Sequence, residues 1–147
     1  MEHQLLNDGP EKTYALILQY DEEAMEELKA FAVREKLFGC RFTAVGAFSS
    51  AELGFFDFSI KDYQRIQIGE QTEVLSMLGD ISQYQGKPKV HAHVVLGKRD
   101  GTAHGGHLLR AVVRPTLEII LTGSPVWMKR KMDERSGIPL IELQGYE

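Results

Sequence analysis

Residues 89–123 read KVHAHVVLGKRDGTAHGGHLLRAVVRPTLEIILTG. Two runs of β-branched and aliphatic side chains, KVHAHVVLG and HLLRAVVRPTLEIILTG, lie on either side of the turn-forming Lys98–Arg99–Asp100–Gly101, the pattern of an antiparallel β-hairpin. Pro115 interrupts the second run and cannot donate to a ladder, so it predicts a bulge or a sheet edge.

The same reading extends in both directions. From Arg41 onward RFTAVGAF, AELGFFDF, YQRIQI and TEVLSMLGDIS are short period-two runs separated by Ser, Gly, Lys and Asp, again read as antiparallel strands. Beyond the hairpin, short strands are expected around Val126–Lys131 and Leu140–Leu143. Near the N-terminus, residues 13–20 (TYALILQY) suit a buried first strand. Asp21 is placed to cap a helix, Glu22 and Glu23 favour its positive end, and Met25, Leu28, Phe31 and Ala32 recur at helical spacing. Arg34 and Lys36 suit its C-terminal end and Gly39 would close it, giving one helix in the Asp21–Gly39 region. The expected class is therefore α+β, an antiparallel, barrel-like sheet with one packed helix. With no repeat, low-complexity stretch or Pro/Ser linker, residues 1–147 are read as one domain with its core at about 13–122, and the first ten residues are expected to be loose.

Composition narrows the function. A chain of 147 residues with 43% hydrophobic and 26% charged residues is long enough to bury roughly two-thirds of its unfolded surface in one core. The net charge of -4 removes the broad positive field that supplies most non-specific affinity for nucleic acid. The one dense basic cluster, Lys129, Arg130 and Lys131, is followed at once by Asp133 and Glu134 and reads as a solvated edge. Cys40 is the single cysteine, which excludes intrachain disulfides and Cys-based zinc motifs and marks a buried filler. No run is long enough to span a membrane and no signal-peptide pattern opens the chain, so the expected compartment is the cytoplasm.

Four of the five histidines, His91, His93, His104 and His107, fall in one segment. On a strand, residues two apart face the same side, which puts the rings of His91 and His93 about 7 Å apart. His107 lies 107 − 93 = 14 positions later, across the turn. If partners sum to 198, His91 sits opposite His107 and the three rings share a face, whereas an even-numbered loop would turn His107 away. Gly105 and Gly106 supply the backbone freedom a corrective bulge would need. His104 precedes that point and is the weaker ligand candidate. Three neutral imidazoles suit zinc or another divalent transition metal and leave one coordination position open. Glu73 and Glu118, both on expected strands, are candidates to orient the imidazoles or to carry a proton, although each, like Arg110, also reads as an ordinary strand-face residue. There is no G-x-S-x-G elbow, Walker loop or G-x-G-x-x-G fingerprint.

VGAFSSAELGFFD, EVLSMLGDIS and GKPKVHAHVVLGKRDGTAHGGHLLRAVVRPTLEIIL, in that order, resemble the plant-and-prokaryote conserved (PPC) domain over about Thr13–Thr122. The most specific part is the series His91, His93, Asp100, Gly101, Gly105, Gly106, His107, Leu108. The resemblance implies an α+β homotrimer, with a metal such as zinc held by the three histidines in several prokaryotic members. It also implies a fold similar to acetolactate decarboxylase, which has an H-x-H and later-H zinc site. Plant members carry AT-hooks and act at DNA; this acidic sequence has no R-G-R-P hook. It also departs from the family at QYDEEA, where a glycine-containing turn is usual. The functional expectation is a metal-binding homotrimer with a small-ligand-binding or regulatory role. The alternatives are a zinc-dependent lyase or hydrolase and a DNA-associated regulator.

Overall fold

A computed structural model describes residues 1–143. Nine strands and one helix follow in the order β1 (Glu2–Asp8), β2 (Lys12–Leu18), α1 (Ala24–Arg34), β3 (Gly39–Asp57), β4 (Asp62–Ile68), β5 (Thr72–Tyr84), β6 (Lys87–Gly97), β7 (Ala103–Gly123), β8 (Lys129–Met132) and β9 (Pro139–Glu142). Period-two burial is plain in β2, where Tyr14, Leu16 and Leu18 point inward, and the inward stripe of α1 is Ala24, Leu28, Phe31 and Ala32.

The helix is shorter than its sequence signals. Asp21 takes a positive φ of 66°, and the cap is Glu23, whose carboxylate accepts from the backbone N–H of Glu26 at 2.8 Å and also from that of Ala111 in β7 at 2.8 Å. At the other end Leu37 N–H donates to the Ala32 carbonyl and Lys36 N–H to that of Val33, with Lys36 at φ 55°. This is a Schellman closure in which Lys36 occupies the left-handed position usually given to glycine. Gly39 does not close the helix; it opens β3, where a side chain would collide with the Val126 carbonyl.

RFTAVGAF and AELGFFDF form one continuous strand, β3, whose first half pairs with β5 and whose second half pairs with β4, while β7 runs antiparallel along it. The ladder shifts where Gly46 pairs with Leu117 and Phe48 with Val113, so the segment around Pro115 is the bulge its sequence predicts. Because β6 pairs with both β5 and β7, the β3–β5–β6–β7 pairings form a ring. β1 and β2 extend the sheet on one side and β8 and β9 on the other, and β8 adds a parallel bridge at Gln83↔Lys129. The expected antiparallel pairing holds in every ladder but that one parallel bridge, which makes the sheet mixed; because β1, β2, β4, β8 and β9 lie outside the ring, the barrel-like expectation is corrected to a sheet with no clear barrel. Within the first ten residues, Glu2–Asp8 form β1, which pairs with β2 with one register shift between Leu5 and Asn7, and each of its side chains is exposed.

One face of the sheet and α1 enclose a core containing Leu16, Leu18, Phe31, Phe48, Leu53, Leu96, Leu108 and Leu117, all fully buried, each contributing about 1.5–3 kcal/mol by transfer from water. Cys40 is 2% exposed, and burial pushes its thiol up to about 11. On the outer face Val45, Leu75, Leu78, Val95 and Ile120 stay exposed. No helix among the described residues is long and apolar enough to cross a membrane.

Candidate metal centre

The three histidines meet on the outer face of β6 and β7. The turn between Gly97 and Ala103 spans five residues, an odd number, closed by Lys98 N–H to the Thr102 carbonyl at 2.8 Å and by Gly101 at φ 82°. His93 pairs with His107, a sum of 93 + 107 = 200. This register is one pair away from that expected but has the same parity, so the three rings share one side. His104 pairs with Leu96 and therefore belongs to the other face. No ladder shift occurs at Gly105–Gly106; the nearby irregularity lies between Glu52 and Leu53. The two glycines serve close approach instead. A Cβ on Gly106 would stand 3.0 Å from the Gly54 carbonyl oxygen, and one on Gly105 would stand 3.2 Å from that of Val94.

Ring centroids are 5.1 Å apart for His91–His93, 5.2 Å for His91–His107 and 5.4 Å for His93–His107. One nitrogen from each lies within 4.8 Å of the others. Tetrahedral zinc at about 2.0–2.1 Å from each nitrogen would want these separations near 3.3 Å, so ligation would draw the rings inward. Two features fit such an ion. His107 Nδ1 is buried with no hydrogen-bond partner, an orphan that costs about 1–3 kcal/mol. Burial, then the neighbouring His91 and His93 and more weakly Lys89 and Arg130, pushes His107 down to about 4. Burial, then His91, also lowers His93. Both rings are thereby neutral at pH 7, the form that binds metal.

His91 is held from behind. The β5–β6 register sets Asp80 opposite His91 and Leu78 opposite His93, and Asp80 Oδ2 lies 3.1 Å from His91 Nδ1. Arg130 brackets that carboxylate, its Nη2 donating to Oδ1 at 2.8 Å and Oδ2 at 3.0 Å, while Ser82 Oγ donates to Oδ1 at 3.1 Å. Burial would raise the Asp80 carboxyl, but the bonds from His91 and Arg130 outweigh it and hold Asp80 below the usual carboxylate range. An ionised Asp80 fixes the proton of His91 on Nδ1 and leaves Nε2 free to ligate. Tyr63 of β4 closes the other side, stacked on His107 at 4.7 Å and 27°, in the space left by the missing side chain of Gly54.

Glu73 and Glu118 are not at this centre. Glu73 is exposed and pairs with Gly97, four residues along β6 from His93. Glu118 is exposed between Ile17 and Val45, eleven residues along β7 from His107. Strand assignment gives a residue's face but not its position along a sheet assembled from distant segments, and here both lie away from the histidines of the same chain. Arg110 is exposed opposite Glu52. The basic run is divided: Lys129 and Lys131 are exposed, but the Arg130 side chain is only 6% exposed, because period-two alternation turns it toward Asp80. Asp80 and Arg130 are the functional candidates that sequence reasoning missed. The one available signal was period-two parity within β5, which sets Asp80 and Ser82 on one face of the strand.

The sequence model of the Plants and Prokaryotes Conserved (PCC) domain, the family the chain resembles, matches residues 6–124. A metal-containing protein from Archaeoglobus fulgidus is 30% identical over 97% of each chain, with a TM-score of 0.83. A protein from Ralstonia eutropha JMP134, provisionally named DNA-binding, is 28% identical over 89% of this chain and 91% of its own, with a TM-score of 0.84. A Staphylococcus aureus protein described as similar to alpha-acetolactate decarboxylase shares the fold alone, at 12% identity, 78% and 53% coverage and a TM-score of 0.58. Among curated proteins none matches this chain.

Proposed function

The chain belongs to the Plants and Prokaryotes Conserved domain family, and from that premise we propose that it is a homotrimeric metal-binding protein with a small-ligand-binding or regulatory role. His91, His93 and His107 hold zinc or another divalent transition ion. The observation that carries this reading is the convergence of three imidazoles, two of them held neutral and the third backed by an ionised aspartate. The description of the Archaeoglobus relative as metal-containing supports it. A bound ion would offer an open position to a small oxygen-bearing ligand. The role of the chain is to present the rings, keep them unprotonated and let Tyr63 shape the approach. The exposed apolar residues Val45, Leu75, Leu78, Val95 and Ile120 supply a surface for trimer contacts. The buried free thiol of Cys40 suits a reducing compartment, the cytoplasm.

Metal analysis of untagged protein tests the site. The wild type should retain about one ion per chain and His91→Ala should lose most of it with its circular dichroism unchanged; equal metal in both rejects the reading. The lyase or hydrolase alternative is less supported, since within one chain Glu73 and Glu118 stand apart from the histidines along β6 and β7. For the DNA-associated alternative the basic cluster is reduced to the exposed Lys129 and Lys131, since the Arg130 guanidinium is turned inward onto Asp80.

A further inference from the structure

Arg130 lies outside residues 6–124 matched by the family, yet it is the most heavily bonded side chain near the histidines. Its Nε donates to Ser82 Oγ at 2.6 Å and its Nη1 to the Pro139 carbonyl at 3.0 Å, while Nη2 spans both oxygens of Asp80. One guanidinium therefore ties three things together: the β8–β9 hairpin through Pro139, strand β5 through Ser82, and the carboxylate that orients His91.

Among the described residues the hairpin has few other holds on the body, one being the Lys61 Nζ bond to the Glu134 carbonyl at 3.4 Å. β8 meets the sheet at a single bridge, Gln83↔Lys129, supported by Gln83 N–H to the Met128 carbonyl at 2.7 Å and Met128 N–H to the Phe38 carbonyl at 2.9 Å. The Phe38–Trp127 ring contact at 4.8 Å lies just before it. Six of the eight residues of β8 and β9 are exposed, so apolar burial contributes little to its docking. A fully engaged, buried guanidinium bonded to a carboxylate is a strong anchor, and truncating it would leave the half-buried Asp80 carboxylate without its cationic partner.

We propose that Arg130 is a positioning residue that couples docking of the β8–β9 hairpin to metal occupancy at His91, His93 and His107. This rests on the metal-binding reading above and adds a regulatory input to that site. When the hairpin is docked, Arg130 holds Asp80 against His91 Nδ1 and presets the ring. By reciprocity, an ion that fixes His91 favours the docked hairpin, because the two events share one free energy of coupling.

The test uses the full chain stripped of metal, with zinc alone as probe. Zinc affinity would be measured by competition with a chromophoric chelator for the wild type, Arg130→Met and Arg130→Lys. Hydrogen exchange of peptides covering residues 127–142 would be followed in the wild type and His91→Ala, with and without zinc. Arg130→Met is expected to weaken zinc binding about 10–100-fold, the range for residues that orient metal ligands, with Arg130→Lys between it and the wild type. Zinc should slow exchange in the wild-type hairpin and leave it unchanged in His91→Ala. The exchange experiment holds even if Arg130→Met folds poorly, since it needs no change at position 130. Zinc bound by the wild type with no change in hairpin exchange, or with equal affinity in a folded Arg130→Met, overturns the coupling alone. No zinc uptake by the wild type overturns the metal site and the coupling with it.

Discussion

At Gly79 a side chain would overlap the ring of Phe42 on the core side and crowd the His91 carbonyl. Gly79→Ala should therefore cost about 1–3 kcal/mol in chemical denaturation and also reduce metal content, because relief of the clash displaces β6 at His91. A neutral effect on both would show that the strands slide apart without consequence. His107 makes a pH argument. In the unfolded chain its ring takes up a proton near 6.5, whereas the folded site resists protonation until about 4. In the metal-free protein the contribution of His107 to stability is thus fully present above pH 6.5 and is lost progressively as the pH falls from 6.5 toward 4. Urea midpoints measured across that window should fall with acidity, and the slope should flatten in His107→Phe. The histidine trio was legible in the sequence because parity along strands is local arithmetic. Asp80 and Arg130 were not, because which residues stand opposite His91 depends on pairing β6 with β5 and β5 with a strand near the C-terminal end of the chain.

At the level of elements, strand runs could be read wherever apolar alternation met turn residues, and the helix could be read from its buried stripe. Its ends could not. Glu23 is recruited as cap because its carboxylate also satisfies Ala111 N–H in β7, a tertiary bond no local signal announces. Lys36 takes the left-handed closing position although Gly39 is nearby. A non-glycine residue there is held about 1–2 kcal/mol above its preferred conformation. Lys36→Gly should therefore raise the unfolding free energy by up to about 1 kcal/mol, part of the gain being lost to the greater freedom of glycine in the unfolded chain. A lower melting temperature would mean that the lysine stem packs usefully. The joining of two expected strands into β3 has a similar origin. Ser49 and Ser50 suggest a break, but Ser49 Oγ donates to the Val112 carbonyl and the strand continues.

For the whole molecule, the apolar outer face and the histidine centre are adjacent, since Leu78 stands directly opposite His93. A trimer built on that face would place subunit contacts beside the open coordination position. Light scattering at micromolar concentration should give three times the mass of 16.6 kDa for the wild type, and Leu78→Asp should shift it toward one chain. A wild type that elutes as a monomer would reject the assembly. The single thiol, enclosed by the core and far from ionising, has a practical corollary. Maleimide dyes should leave the native protein unlabelled and modify one site per chain once it opens, so labelling kinetics become a clock for global unfolding. A cysteine substituted into the β8–β9 hairpin could then carry a fluorophore at a single defined address with Cys40 left in place.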